Sequence, residues 1–145
     1  MNRQEQLDHL FQTMDAITRW KVRRQRREPV PSGLPTHTRM GILLAIAHQE
    51  VETIKDLAER FRMTSSAATQ LVNSLVSDGL VLRKDDDQDR RKTRLSVTAN
   101  GKKTLLLSKK HCMNILAELF APLTERDLQA LQAIQDKIVQ HLGKI

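Results

Sequence analysis

Between Thr64 and Asp78 the side chains are of two kinds. Ala67, Ala68, Leu71, Val72, Leu75 and Val76 recur at helical spacing and mark one apolar face, while Ser65, Ser66, Thr69, Gln70, Asn73, Ser74 and Ser77 occupy the other. No charge appears before Asp78. A solvated helix face ordinarily carries Glu and Lys, which are better helix formers and raise solubility. Short hydroxyls and amides instead suit close approach to a base edge or a phosphate. Gln and Asn can bond adenine through two hydrogen bonds, and a face without carboxylates does not repel a phosphate backbone. Downstream, Arg83, Lys84, Arg90, Arg91, Lys92 and Arg94 form a cationic segment, and an arginine at its tip suits insertion into a minor groove. Asp85, Asp86, Asp87 and Asp89 share that segment. Asp89, two residues before Arg91, is placed to orient an arginine, whereas Asp85 to Asp87 are expected to point to solvent. Taken alone, the segment also reads as a plain solvated turn.

The elements that position these residues can be read from the periods around them. Thr53 with Asp56 resembles a capping box that opens a short helix, burying Ile54, Leu57, Ala58 and Phe61. Arg62 and Met63 leave room for a tight turn, Thr64 is the expected N-cap of the polar-faced helix, and Gly79 suits its C-terminal end. The period then changes: Leu80 to Leu82 and Thr93 to Val97 read as two strands around a charged loop, 83–92. Helix, turn, helix and hairpin is the order of a winged helix-turn-helix. Ahead of it, residues 36–49 are apolar on nearly every face, as expected of an enclosed helix.

Both ends of the chain read as amphipathic helices. Leu7, Leu10, Phe11, Met14 and Ile17 form a stripe expected to be buried; a basic run, 19–27, and a linker with Pro29, Pro31, Gly33 and Pro35 follow. Thr98 can cap a long helix carrying Leu105, Leu106, Cys112, Met113, Leu116, Leu119 and Phe120, which Pro122 breaks. The last helix carries Leu128, Leu131, Ile134, Ile138, Leu142 and Ile145, a spacing close to that of a coiled coil. The expected fold is mainly α with a small β-hairpin wing (α+β). Residues 36–98 form the winged helix-turn-helix, and residues 1–35 and 99–145 a helical dimerisation region. The alternative is that the terminal helices pack on their own subunit.

The 145 residues suit one compact domain, and 24 Lys+Arg against 17 Asp+Glu give a net charge of +7, which points to a polyanionic partner. One cysteine, Cys112, excludes an intramolecular disulfide and a multi-thiolate metal site. Lys109, Lys110 and His111 flank it, but its place in an apolar stripe predicts burial. No apolar run is long enough to span a membrane, and Glu5 and Asp8 interrupt any signal-peptide core, so a cytoplasmic location is expected. No phosphate-cradling glycine motif, metal cluster or recognisable nucleophile is present, so no enzyme, cofactor or metal is expected. The competing class is a non-specific, nucleoid-type basic DNA-binding protein, which would not need an amide-bearing face.

The run DLAERFRMTSSAATQLVNSLVSDGLVLRKDDDQDRRKTRLSVTANGKKTL resembles the winged helix-turn-helix core of the MarR family of bacterial transcriptional regulators. That family's wing carries an Asp-x-Arg element followed by Leu-Thr and a glycine; here these are Asp89-Arg90-Arg91 and Val97-Thr98 with Gly101. The resemblance implies a triangular homodimer on a pseudo-palindromic double-stranded operator, usually as a repressor. It places base and phosphate contacts on Ser65, Ser66, Thr69, Gln70 and Asn73, and the wing arginine on Arg91. The family often has Arg where this chain has Gln70, which replaces a guanine contact with an adenine or phosphate contact. It also implies release by a small aromatic or anionic effector in a cleft for which Trp20, His37, Met40 and His111 are candidates, or by cysteine oxidation. Arg91→Ala should weaken operator binding strongly and leave the thermal unfolding midpoint unchanged; near-normal affinity at physiological salt would refute the wing assignment.

Overall fold

The computed structural model describes residues 1–89 and 93–143. Arg90, Arg91 and Lys92, three of the expected cationic contacts, lie outside the described residues, as does Ile145. The chain divides into two compact units, Met1–Thr38 and Arg39–Ile145.

The first unit is built on α1, Arg3–Arg27. Asn2 caps it reciprocally with Glu5: the Glu5 amide donates to Asn2 Oδ1 at 2.9 Å and the Asn2 amide donates to Glu5 Oε2 at 2.8 Å. The basic run forms its last turns, where Arg24, Arg26 and Arg27 complement the partial negative charge of the C-terminal carbonyls. The Leu7, Leu10, Phe11 and Met14 stripe was expected to be buried, but α1 buries no residue and these side chains are exposed. Helical spacing identifies an apolar stripe; it does not say whether one chain supplies the surface that covers it.

The second unit holds a core made by short elements that pack on one another. α2, His37–Ala47, begins at the unit boundary and buries Ile42, Leu43, Ala45 and Ile46. α3, Ile54–Arg60, opens on the expected box: the Asp56 amide donates to Thr53 Oγ1 at 3.1 Å, and the Thr53 amide donates to Asp56 Oδ2 at 2.9 Å. Arg62, with φ 49°, makes the tight turn into α4, Ser65–Ser77, whose N-cap is Thr64. Leu57, Ala68, Val72 and Leu75 close with α2 around Val51, Leu80 and Val81.

Gly79 leaves α4 at φ +69°, a left-handed conformation that favours glycine, and turns the chain into β1, Val81–Asp85. β1 pairs antiparallel with β2, Thr93–Val97, from Val81↔Val97 to Asp85↔Thr93. The first strand therefore runs three residues beyond the expected Leu82, and Arg83 and Lys84 are strand residues rather than loop. Exposed ladder positions tolerate charge, so polarity did not mark the strand's end. The Leu95 amide also donates to the Glu52 carbonyl at 2.7 Å, which ties β2 to the segment before α3.

Thr98 caps α5, Ala99–Leu119, and Thr124 with Asp127 caps α6, Glu125–Leu142. α5 buries Gly101, Thr104 and Ser108, and the half-buried His111 and Ile115 extend that line. Cys112 lies one residue off it and is exposed, against the expectation of burial. A one-residue step turns a side chain about 100° around a helix. α6 buries nothing: Leu128, Ile134, Ile138 and Leu142 are exposed and Leu131 is half-buried.

Gly101 is where α5 meets the wing. A Cβ there would collide with the Leu80 carbonyl oxygen and lie 2.6 Å from Val97 Cγ1. Gly101→Ala should destabilise the protein by about 1–3 kcal/mol or more, read as a lowered urea midpoint. Gly41→Ala, whose Cβ meets only Phe61 at 3.8 Å, should not. Equal midpoints for the two variants would contradict the packing described.

Candidate nucleic-acid interface

The orientation of α4 follows from its buried side. Ala68, Val72 and Leu75 are fully enclosed, so the opposite side must face outward. Ser65, Ser66, Gln70, Asn73 and Ser77 are exposed there, with Thr69 and Ser74 half-buried at its margins. Thr69 donates its hydroxyl to the Ser65 carbonyl at 2.8 Å, so toward a partner it is chiefly an acceptor. Both ends of the helix are held. Thr64 Oγ1 accepts from the Ala67 amide at 3.1 Å, and Arg39 of α2 reaches the Ser74 carbonyl at 3.4 Å and pairs with the Asp78 carboxylate.

The strands bring two arginines to this region with different partners. Arg83 donates through Nη2 to Asn73 Oδ1 at 2.7 Å and so bridges β1 to the exposed face of α4. Arg94 donates through Nε to Asp86 Oδ2 at 2.9 Å, and its Nη1 lies 3.1 Å from Glu52 Oε2. Asp86 was expected to point to solvent. It is instead half-buried and also accepts the Gln88 amide at 2.9 Å. The Gln88 amide and the Arg94 side chain hold its carboxyl below the usual carboxylate range. Lys84, Asp85 and Asp87 are exposed and Asp89 is half-buried.

Asp86 and Glu52 are thus wing-anchoring residues that chain spacing did not single out. Asp86 and Arg94 are eight positions apart and become neighbours only through the hairpin register, in which Asp85 faces Thr93. Arg39 and Asp78 are likewise brought together only by the packing of α2 against α4. The effector candidates are divided between the units: Trp20, half-buried, and His37, exposed, lie in the first, and Met40 and His111, both half-buried, in the second. Among the described residues no group of three or more His, Cys, Asp or Glu side chains could hold a metal ion, and no helix is long and apolar enough to cross a membrane.

Comparison with known proteins places this arrangement. A model of the MarR family matches residues 32–92. Over 67 residues the chain is 36% identical to the HTH-type transcriptional regulator SarZ of Staphylococcus epidermidis, a match covering 46% of this chain and 45% of that protein. The chain thus aligns with a little under half the length of this curated relative. A MarR family protein from Bacillus stearothermophilus has a similar structure, with a TM-score of 0.74 at 17% identity over 99% of each chain. The transcriptional regulator BldR from Sulfolobus solfataricus gives 0.66 at 23% identity over 100% of each. At these identities the two structures establish the fold alone, which among the described residues is six helices with a two-stranded wing.

The wing anchor should depend on pH. The folded Asp86 carboxyl titrates below its ordinary value of 3.8, so its contribution is complete above that value and is lost as pH falls through the lower, folded one. Asp86→Asn should speed hydrogen exchange of the β1 and β2 amides at neutral pH while leaving those of α3 and α4 protected. Unchanged exchange in the strands would mean that the Asp86–Arg94 pair does not hold the wing.

Proposed function

We propose that the chain is a member of the MarR family, a transcriptional regulator that binds a pseudo-palindromic DNA operator as a homodimer and represses the genes beside it. One observation carries this reading. The outward face of α4 offers hydroxyls and amides without a carboxylate, and it stands beside a strand that carries Arg83 and Lys84. Such a face can enter a major groove and read base edges, while cations on the wing engage the phosphate backbone. In this division of work residues 36–98 read the DNA. Ser65, Ser66, Thr69, Gln70 and Asn73 make the helix contacts. Lys84, with Arg90, Arg91 and Lys92, supplies charge at the wing, and Arg94 positions the wing through Asp86 and Glu52.

Dimerisation is assigned to residues 1–35 and 99–145. Its support is the apolar stripe that each terminal helix leaves exposed: Leu10, Phe11 and Met14 on α1, and Ile134, Ile138 and Leu142 on α6. Helices with such stripes need an apolar partner, and a second copy of the chain supplies one. A two-fold axis in the protein is also what a pseudo-palindromic site requires.

Titration on the region upstream of its own gene and on scrambled DNA, across salt, tests the function. A sequence-specific regulator should keep a preference of roughly 10³-fold or more at physiological salt. Equal affinity for both DNAs would replace this reading with non-specific compaction. Removing residues 128–145 should convert a dimer to a monomer in sedimentation equilibrium, and a stable truncated dimer would refute the assignment of α6.

A further inference from the structure

We propose that Arg83 and Asn73 act as one unit that selects a G·C base pair in the major groove, with Arg83 setting which hydrogen-bonding groups Asn73 presents. This rests on the reading of α4 as the helix that enters DNA. An asparagine side chain is in general ambiguous, since its amide offers one acceptor and two donors. Adenine is matched when such an amide accepts from N6 and donates to N7 together. Here the ambiguity is removed. A guanidinium has donors and no acceptor, so Arg83 can face only Oδ1 of Asn73, and it does so at 2.7 Å. The bond is charge-assisted and shorter than most neutral amide hydrogen bonds.

Two consequences follow. The Asn73 amide is turned so that Nδ2, with its two N–H groups, points away from Arg83. The cation beside Oδ1 also disfavours a second donor at that oxygen, which adenine N6 would have to be. The pair therefore presents donors: the Nδ2 hydrogens and the remaining guanidinium N–H groups of Arg83. Among the described residues no carboxylate lies within ion-pair distance of Arg83, so those groups are not engaged by an internal anion as Arg94 is by Asp86 and Glu52. Both side chains are exposed, and Asn73 shares the outward face with Ser66 and Gln70. In the major groove the base edge made of two adjacent acceptors is guanine, through N7 and O6. Adenine, with an acceptor beside a donor, fits a free amide and not this pair.

Selection of bound sequences from a randomised duplex library, with the full-length protein and with Arg83→Met and Asn73→Ala, tests the proposal. Wild type should enrich one guanine in each half-site that both variants lose, and Arg83→Met, which frees Oδ1, should shift that position toward adenine. On the wild-type site the discrimination between G and A there should fall by roughly 5- to 150-fold, the range of one good bidentate contact. Circular dichroism melting of both variants checks that the fold is kept, and two substitutions on different elements make the result independent of either one alone. A wild-type consensus in which neither variant changes base preference at a shared position would overturn the proposal. So would an equal loss of affinity for every sequence, the sign of a phosphate contact. Failure of wild type to enrich any sequence would instead defeat the regulatory reading itself.

Discussion

The close approach of Gly101 to the Leu80 carbonyl is the contact on which the geometry of the winged unit depends. Leu80 is the first residue after the turn that ends α4. Its amide donates to Leu75 at 2.9 Å, its carbonyl accepts from the Thr98 amide at 3.0 Å, and the Thr98 hydroxyl donates to the Gly79 carbonyl. Thr98 is also the N-cap of α5, accepting the Gly101 amide at 2.9 Å. The end of the helix with the polar face, the base of the wing and the start of the long helix therefore meet within a few residues. A glycine is required at 101 because a Cβ there would collide with the Leu80 carbonyl oxygen. This junction joins α4 to the base of the hairpin, and the Arg83–Asn73 hydrogen bond makes a second tie between them.

The distribution of charge follows from this arrangement. Of the chain's net +7, residues 19–27 alone contribute +6, all of it on the last turns of α1, and the exposed face of α4 contributes nothing. Near that face the cations are divided by what holds them. Arg94 is engaged by two carboxylates and serves the shape of the wing, Arg83 is engaged by an amide and keeps its charge, and Lys84 is exposed with no carboxylate partner among the described residues. A basic composition predicts attraction to a polyanion, but it does not distinguish an arginine that meets DNA from one that holds a strand. The carboxylates at 85–87, which look unfavourable for a DNA-binding segment, are in part structural, because Asp86 anchors Arg94.

Much of the winged unit was legible in the residues. The caps at Thr53, Thr64 and Thr98, the change of period at Gly79 and the two faces of 65–77 are local features, set by hydrogen bonds and side-chain spacing within one turn or strand, and the structure has them where the sequence places them. What was not legible depends on register and rotation. The length of β1 is decided by pairing with β2, so Arg83 and Lys84 read as loop residues. The partner of Asp86 is eight positions away and is reached only across the hairpin. Cys112 sits among apolar residues in the chain but one residue off the line that α5 buries. The α1 stripe is correct as a stripe and incorrect as a buried surface, because burial also depends on what lies opposite.

The central claim is that a two-fold pair of these units reads DNA through α4 and the wing. Hydroxyl-radical footprinting on the region upstream of the gene tests it most directly. Two protected half-sites on one face of the duplex, centred about one helical turn apart, or a multiple of that spacing, are the predicted result. Uniform protection that grows with protein concentration and ignores sequence, or a single unpaired half-site, would contradict it.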